Sequence, residues 1–332
     1  MDRLTCQQLQ DALRSCQKRQ IVVRERVCVR PNSDVFLATT DEGPVDRLAI
    51  KCCYQPGTDL PDQATAEKQF ANLDSVSQAL RLAGIEFRVP EPMFYEHKLG
   101  AYAMFWVEGQ SLTDTLCHSY SRRRALVCFE RVGRWLGAFH AAGPVRRESP
   151  DLTNQIRHLE ALRAHPLDQR WFRAGLSLLD SERGALVQNT PSVSWLHGDC
   201  KSDNFLLAGG GAVFGIDVAL AHENAVEIDL AMFLIDLALR VQTPRFVRFL
   251  PIQGELQEAF LKGYSRLGPT IDLAFLQWLR LWFALSRWHS YITEQRLGSL
   301  KRWYVNWVLA RLVRRLVGTE CNARLRAYSC AK

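Results

Sequence analysis

Hydrophobic positions repeat with two different periods along the chain. In the first third, short apolar runs rich in β-branched residues alternate with turn-like segments such as Pro31-Asn32-Ser33-Asp34, a pattern typical of antiparallel strands. Between them, apolar residues from Ala66 to Leu80 recur every three or four positions and stop at Gly84, which predicts one inserted helix. The strand-like runs are 21–29, 34–40, 47–54, 93–97 and 101–107.

Beyond Gly109 the apolar pattern becomes helical over long stretches. One irregular island, residues 192–218, interrupts it and contains two short apolar runs on either side of three consecutive glycines. We therefore predict an α+β protein with a small β-rich N-terminal domain, residues 1–107, and a larger, mostly helical domain, residues 108–332. The helical patterns cover 112–142, 151–189, 225–242 and 253–316.

The composition is that of a folded protein. With 47% hydrophobic and 23% charged residues, the 332-residue chain can bury a sizeable core. Its best apolar runs are interrupted by Asp236 and Arg280, so we expect no membrane-spanning helix. The N-terminus is polar where a signal peptide is apolar, which predicts a cytoplasmic protein. Ten cysteines without a C-x-x-C pair predict free thiols rather than zinc ligands or disulfides.

The formal net charge of +7 is unevenly distributed. From Arg245 to the end there are 15 Lys and Arg against 5 Asp and Glu, a balance of +10, so residues 1–244 carry −3. A nucleic-acid-binding protein would show a basic surface together with a recognition motif, and the sequence contains no such motif. We therefore expect no nucleic acid partner.

The irregular island brings oxygen-bearing side chains together. If Gly210 and Gly211 form a two-residue hairpin turn, Asn204 pairs with Asp217, and a three-residue turn shifts this pairing by one position. Directly paired side chains have Cβ atoms about 5 Å apart. An amide oxygen and a carboxylate at this distance suit a hard cation such as Mg²⁺. Asp199 precedes Asn204 by five residues and could face the same point as a base.

The template for phosphoryl transfer asks for this set, together with a Lys in the β-rich domain that is fixed by a helical Glu. Lys51 ends the run Arg-Leu-Ala-Ile-Lys, which matches the V-A-I-K pattern in type. Glu67 follows 16 residues later in the first strong helical pattern. Asp62 and Asp74 are alternatives for the helical acid.

With these residues in place, the sequence resembles the aminoglycoside phosphotransferase and choline kinase-like family. This resemblance implies a bilobal protein-kinase-like fold, with a small β-rich lobe and a larger helical lobe, that uses ATP and Mg²⁺. It rests on the motifs Leu136-Gly137-Ala138-Phe139-His140, His197-Gly198-Asp199-x4-Asn204, Gly215-Ile216-Asp217 and Glu227-Ile228-Asp229-Leu230-Ala231.

The resemblance implies a role for each matched position. Asp199 would be the catalytic base, and Asn204 and Asp217 would hold Mg²⁺. Lys51 would contact the α- and β-phosphates of ATP, with Glu67 as its partner. The aspartate of the Glu-Ile-Asp-Leu-Ala motif would hold the catalytic loop in position.

Further nucleotide contacts are implied for two other segments. Backbone groups of Met104, Phe105 and Trp106 would contact adenine. The turn at 30–34 stands where the family has a phosphate-covering loop, yet it contains no glycine. Phosphate contact there would come from Ser33 or from backbone N–H groups.

Lys201 occupies a position that varies among the small-molecule kinases that the sequence resembles. It stands two residues after Asp199, where its ammonium group could neutralise the transferring phosphoryl group. The alternative is a solvated loop lysine.

Together these features predict an ATP-dependent phosphotransferase that moves the γ-phosphoryl group to a hydroxyl of a small molecule, a sugar or a glycolipid. The missing glycines at 30–34 motivate an alternative, a kinase-like binding or scaffold module without activity. The acceptor is not specified by any motif, although the basic C-terminal segment favours an anionic one.

The end of the chain is basic and rich in tryptophan. Residues 301–332 contain 8 basic residues and 1 acidic residue. We predict a helix at 299–317 that packs through a stripe and turns Arg311, Arg314 and Arg315 outward, either as a solvated face or as a contact to an anionic acceptor or to the inner membrane surface. The predicted packing stripe is Trp303, Trp307, Ala310, Val313 and Val317.

Overall fold

The computed structural model describes residues 3–16, 20–40, 47–84, 87–118, 121–164, 167–186, 190–218, 223–293 and 298–330. The chain divides into two compact units, of which the first comprises residues 1–111 and 205–220 and the second comprises residues 112–204 and 221–332. The sequence places the hairpin after Asn204 in the helical domain, 108–332. It belongs to the first unit instead, because its strands pair with strands of that unit.

The elements are numbered along the whole chain. The helices are α1 (Cys6–Ser15), α2 (Gln63–Ala83), α3 (Leu112–His118), α4 (Arg122–Ala142), α5 (Thr153–Ala164), α6 (Arg170–Leu186), α7 (Glu227–Arg240), α8 (Gln253–Ser265), α9 (Leu273–Thr293) and α10 (Ser299–Cys330). The strands are β1 (Ile21–Arg30), β2 (Ser33–Thr40), β3 (Arg47–Cys53), β4 (Phe87–Arg88), β5 (Pro92–Glu96), β6 (Ala101–Phe105), β7 (Gly109–Ser111), β8 (Arg146–Arg147), β9 (Ser192–Trp195), β10 (Phe205–Ala208), β11 (Val213–Gly215) and β12 (Glu223–Ala225).

The first unit is built on an antiparallel sheet of order β1-β2-β3-β6-β5. Helix α1 packs Leu9 and Leu13, both fully buried, into a core that includes Phe36 of β2 and Ile50 of β3. The helix starts at a capping box in which the Thr5 hydroxyl and the third helical side chain satisfy two backbone N–H groups. Strand β3 lies in the middle of this sheet, and Lys51 within it is buried.

A second sheet in the first unit has order β4-β11-β10-β7. Strands β10 and β11 pair Phe205 with Gly215, and the turn between them is Gly209–Gly211, of which Gly210 has φ 70° and Gly211 has φ 86°. A left-handed backbone conformation of this kind favours glycine, because glycine has no Cβ atom to clash with the backbone. The observed register is that of the three-residue turn, so the two-residue pairing of the sequence analysis is wrong by one position.

The second unit is mostly helical, with one small sheet of order β12-β9-β8. Helices α4 and α8 cross so closely that their backbones are in contact. A Cβ atom added at Gly133 would lie 2.0 Å from the carbonyl oxygen of Phe260, and one added at Gly263 would lie 2.0 Å from that of Glu130. The two glycines therefore allow a close approach that any larger residue would block.

The tryptophans of the C-terminal helices fall into two groups. Trp278 and Trp288 of α9 are buried, as a packing role predicts, whereas Trp303 and Trp307 of α10 are 64% and 46% exposed. Helix α10 packs through the face that carries Val308, Leu309, Leu312, Val313 and Leu316. The predicted packing stripe is therefore wrong for both tryptophans, because the buried face of α10 is rotated away from them.

Two simpler predictions can be compared with the structure. The eight cysteines for which it gives surroundings are free thiols. Within the described ranges, no helix is both long enough and apolar enough to cross a bilayer.

Candidate active site

Residues 196–204, the H-G-D loop, fix the side chain of Asp199. Lys201 Nζ donates to Asp199 Oδ2 at 2.5 Å, and Asn204 Nδ2 donates to the same oxygen at 2.9 Å and to the Asp199 carbonyl at 2.8 Å. The Asp199 side chain is 42% exposed. In the described part of the chain, its Oδ1 accepts no hydrogen bond. The loop thus presents one oriented, unoccupied carboxylate oxygen.

The same contacts orient Asn204. Its side-chain N–H groups are directed to Asp199, so its Oδ1 is the atom left to accept a donor or hold a cation. Asn204 is only 1% exposed, which restricts its rotamer. The pair Asp199 and Asn204 is therefore a preformed unit rather than two independent loop residues.

Asp229 at the start of α7 holds the beginning of this loop. Its Oδ2 accepts from the His197 backbone N–H at 2.5 Å, and its Oδ1 accepts from that of Gly198 at 3.1 Å. His140 Nε2 lies 3.2 Å from Oδ2, and Tyr264 lies 2.9 Å from the other ring nitrogen. Burial acts to raise the pKa of Asp229, but the hydrogen bond and charge of His140 outweigh it, so the pKa lies below its usual value.

A second, partly exposed network, which the sequence analysis missed, holds the end of the loop. Asp236 accepts from the Ser202 backbone N–H at 3.0 Å and from its hydroxyl at 2.5 Å. Arg240 bridges Asp203 at 2.9 Å and Asp236 at 3.2 Å. Burial lowers the pKa of Arg240, but the two carboxylates raise it by more, so the guanidinium stays charged. The i, i+4 spacing of Asp236 and Arg240 on α7 was the available signal.

In the first unit, Lys51 and Asp217 form an ion pair. Lys51 Nζ donates to Asp217 Oδ1 at 2.8 Å, and the lysine, which lies within the central strand β3, is 8% exposed. Burial lowers the pKa of Lys51, but the nearby Tyr102 and Asp217 raise it by more, so the amine is protonated. Asp217 has φ 57°, a left-handed conformation that is uncommon outside glycine.

The structure does not bring Glu67 to Lys51. Glu67 is exposed on α2, and the described part of the chain contains no ion pair between the two. Gln69, two residues on, lines a cavity of about 60 Å³ with Lys51 and accepts from the Tyr102 hydroxyl at 3.1 Å. The predicted ion pair between Lys51 and Glu67 is therefore not formed in the described residues, because the side of α2 next to Lys51 presents the amide of Gln69 instead. Sequence spacing alone could not show which helical turn faces the sheet.

The predicted adenine segment comprises the last two residues of β6 and the residue after it. Met104 lines the same small cavity as Lys51. The Phe105 N–H donates to the Glu91 carbonyl at 2.9 Å, and the Trp106 N–H donates to the Arg47 carbonyl at 2.8 Å. Both donors are therefore already used inside the sheet, so these two residues can offer only carbonyl groups to a base.

Ser33 lies at the predicted phosphate-covering turn, which is a tight connection between β1 and β2. Arg30 pairs with Ser33, so only Pro31 and Asn32 lie between the strands. Arg3 donates to the Arg30 carbonyl at 2.6 Å and also to the Pro31 carbonyl. It forms an ion pair at 3.1 Å with fully buried Asp34 of β2, which Arg26 contacts at 3.1 Å as well. The glycine-free turn is thus clamped by an N-terminal arginine.

The predicted site residues therefore form two local groups. Lys51, Asp217 and Met104 line one cavity of the first unit, and Asp199, Lys201 and Asn204 are hydrogen-bonded in the second. No group of three or more His, Cys, Asp and Glu side chains in the described ranges could hold a metal by itself. The donor set fits Mg²⁺ only as isolated oxygen ligands that share it with phosphate and water.

Several solved structures of kinases are similar to this chain in fold. A glucosamine kinase matches with TM-score 0.61 and 16% identity, over 94% of this chain and 81% of that chain. The choline kinase of Streptococcus pneumoniae matches with TM-score 0.57 and 13% identity, over 94% and 98% of the two chains. An amicoumacin kinase matches with TM-score 0.56 and 16% identity, over 93% of each chain. These neighbours confirm the predicted α+β fold, which is β-rich at its N-terminus and helical at its C-terminal part.

The sequence comparisons differ in outcome. No curated protein matches this chain. A family model described as "Phosphotransferase enzyme family" matches residues 32–279, about three quarters of the sequence. The aminoglycoside phosphotransferase-like assignment made from the motifs is thereby confirmed. The chain belongs to the phosphotransferase enzyme family.

Proposed function

We propose that the protein is an ATP-dependent kinase that transfers the γ-phosphoryl group to a hydroxyl of a small molecule, sugar or glycolipid. The observation that carries this proposal is the geometry of Asp199. Its Oδ2 is fixed by Lys201 and Asn204, while its Oδ1 is left without a partner in the described part of the chain. A general base needs this combination of fixed orientation and one free oxygen.

In the proposed reaction, the acceptor oxygen attacks the γ-phosphorus and its proton passes to Asp199 Oδ1. The bond between the γ-phosphorus and the bridging oxygen breaks, and ADP leaves with that electron pair. Lys201 would reduce the negative charge that builds up near Asp199. Lys51 would bind the α- and β-phosphates. Mg²⁺ held by Asn204 and Asp217 would offset the charge of the phosphates.

The acceptor class is supported by resemblance and by charge. One solved glucosamine kinase, 13% identical, contains glucosamine, ADP and inorganic phosphate. The +10 balance after Arg245 is a poor match to polycationic antibiotics, so we propose a sugar hydroxyl, with the sugar part of a glycolipid as the leading case.

Asp199→Asn provides the test. The variant keeps the shape of the side chain but removes its basicity, so turnover on a sugar or glycolipid panel should fall by about 10² to 10⁴ while ATP binding remains. ATP binding is measured by calorimetry with and without Mg²⁺, using Asn204→Ala as the metal-ligand variant. Near-normal turnover of Asp199→Asn would exclude Asp199 as the base. ATP binding without turnover in the unaltered protein on every acceptor would instead support the scaffold alternative.

A further inference from the structure

Helix α10 exposes a face of unusual composition. Leu300, Trp303, Trp307, Arg311 and Arg314 are three or four residues apart, which places them within a stripe of about 80° around the helix. Leu300 is 79% exposed, and the two tryptophans are 64% and 46% exposed. The opposite face of α10 packs against other helices of the second unit, chiefly α9 and α6. None of the stripe residues therefore contributes to the buried core.

The arginines of this stripe contact aromatic rings. The Arg311 guanidinium lies 5.5 Å from the ring centre of Trp307. Arg314 lies 5.5 Å from the ring of Trp171 on α6, and Arg170 lies 5.1 Å from the same ring. Such contacts hold the cations beside the rings at little cost in hydration. We call the stripe together with Arg170 and Trp171 the Trp–Arg surface.

The α10 part of the Trp–Arg surface carries charge of one sign. Residues 299–317 contain five Lys and Arg and no Asp or Glu. A cavity of about 460 Å³ opens next to Trp303, and its lining includes Arg302. The one acid among the residues that line this cavity, Asp168, is paired with Arg173 at 2.8 Å. An anionic partner would therefore meet little opposing charge here.

The combination of exposed rings and cations selects the partner. Tryptophan prefers the headgroup level of a bilayer, where its ring is apolar and its N–H is hydrated, and arginine binds phosphate groups. We propose that the Trp–Arg surface binds an anionic lipid bilayer, with Leu300 and the tryptophans at headgroup depth and the arginines on lipid phosphates. This inference is independent of the proposed kinase activity, since the family match ends at residue 279, before α10.

The experiment uses the full chain and vesicles of phosphatidylcholine, with and without phosphatidylserine. We expect co-sedimentation with the anionic vesicles only, weakened by salt because the Debye length falls to about 3 Å at 1 M. Arg311→Gln/Arg314→Gln should lower the partition coefficient by about fivefold for each arginine removed. Trp303→Ala/Trp307→Ala should lower it on the same vesicles.

Matched variants separate this effect from a general loss of charge. Arg123→Gln/Arg131→Gln removes two exposed charges from α4 and should leave the partition coefficient within about twofold. Circular dichroism checks that each variant is folded. No binding to anionic vesicles at low salt, or equal losses in the two arginine variants, would overturn the proposal. Dimerisation in sedimentation velocity that the tryptophan variant abolishes would also overturn it, since a second copy would then cover the surface.

Discussion

The H-G-D loop of the second unit and the β1–β2 turn of the first are both fixed by carboxylates, but in opposite ways. In the loop, Asp229 and Asp236 accept hydrogen bonds from backbone N–H groups. In the turn, the buried Asp34 pairs with Arg3, which donates to backbone carbonyls. The loop is thus held through its donors, and the turn is held through its acceptors.

This difference has a consequence for ligand binding. In the loop, backbone N–H groups donate to Asp229 and Asp236, and one side-chain oxygen each of Asp199 and Asn204 remains available to a ligand. In the turn, the carbonyls of Arg30 and Pro31 accept from Arg3. The Asn32 N–H has no partner in the described part of the chain. A backbone N–H is the group that a phosphate oxygen accepts from. We therefore predict that this turn contacts phosphate without a glycine, because Arg3 orients its peptide groups.

The largest expected effect comes from breaking the network under the loop with Arg240→Met. The side chain is 19% exposed and bridges Asp203 and Asp236, so its loss leaves two carboxylates facing each other without a cation. We expect turnover to fall by roughly 10²-fold, since a small displacement of Asp199 is enough to misalign the base. The KM for ATP should change much less.

Steady-state kinetics check this prediction, with a conservative and a distant variant as controls. Arg240→Lys should recover part of the turnover, and Arg173→Met, at an exposed ion pair in the same unit, should have no effect. Equal falls in turnover and in thermal stability for Arg240→Met and Arg240→Lys would mean that Arg240 serves the fold alone.

The next effect comes from releasing the turn with Arg3→Gln. Fully buried Asp34 would keep only Arg26 as a cation partner, so the free energy of unfolding should fall by about 1 to 3 kcal/mol. The KM for ATP should rise several-fold with little change in kcat, because the loosened turn binds phosphate less well. Denaturant unfolding and kinetics measure both. Arg14→Gln on α1, at an exposed pair, should change neither; an unchanged KM for Arg3→Gln would remove the turn from nucleotide binding.

The smallest effect is a pH dependence at Glu227, two residues before Asp229. Burial raises the pKa of the Glu227 carboxyl to about 7, although it accepts the Asp272 backbone N–H at 2.8 Å. The folded state then holds a proton that the unfolded state loses from about pH 4.5, so stability falls as pH rises through 7. The unfolding free energy should drop by about 1 kcal/mol more between pH 6 and pH 8 than in Glu227→Gln. Parallel pH profiles of the two proteins would contradict this assignment.

Several features of the site could be predicted because they are local in sequence. Asp199, Lys201 and Asn204 lie within six residues of one another, and the short loop brings them into hydrogen-bond contact. The place of Lys51 on a strand followed from one strand-like run. The α+β division followed from the change of hydrophobic period near Gly109, and the structural neighbours confirm it.

Other features depended on partners far away in the chain. Arg3 reaches the carbonyl of a residue 27 positions on, and Arg240 reaches a carboxylate 37 positions back. Neither belongs to a motif, since a charged side chain gives no sign in the sequence of where its partner lies. The same reason explains the misassigned Glu67, because only packing decides that the Gln69 side of α2 faces the sheet.

Helix α10 shows the limit most clearly. The sequence alone determined that 299–317 is helical and basic, because both properties depend on residues a few positions apart. It did not determine which face is buried, because two apolar stripes were available and tryptophan is apolar enough to suggest the wrong one. The tertiary structure decided that the aliphatic face from Val308 to Leu316 is buried, because the face through which a helix packs depends on the elements that lie next to it and not on its own sequence alone.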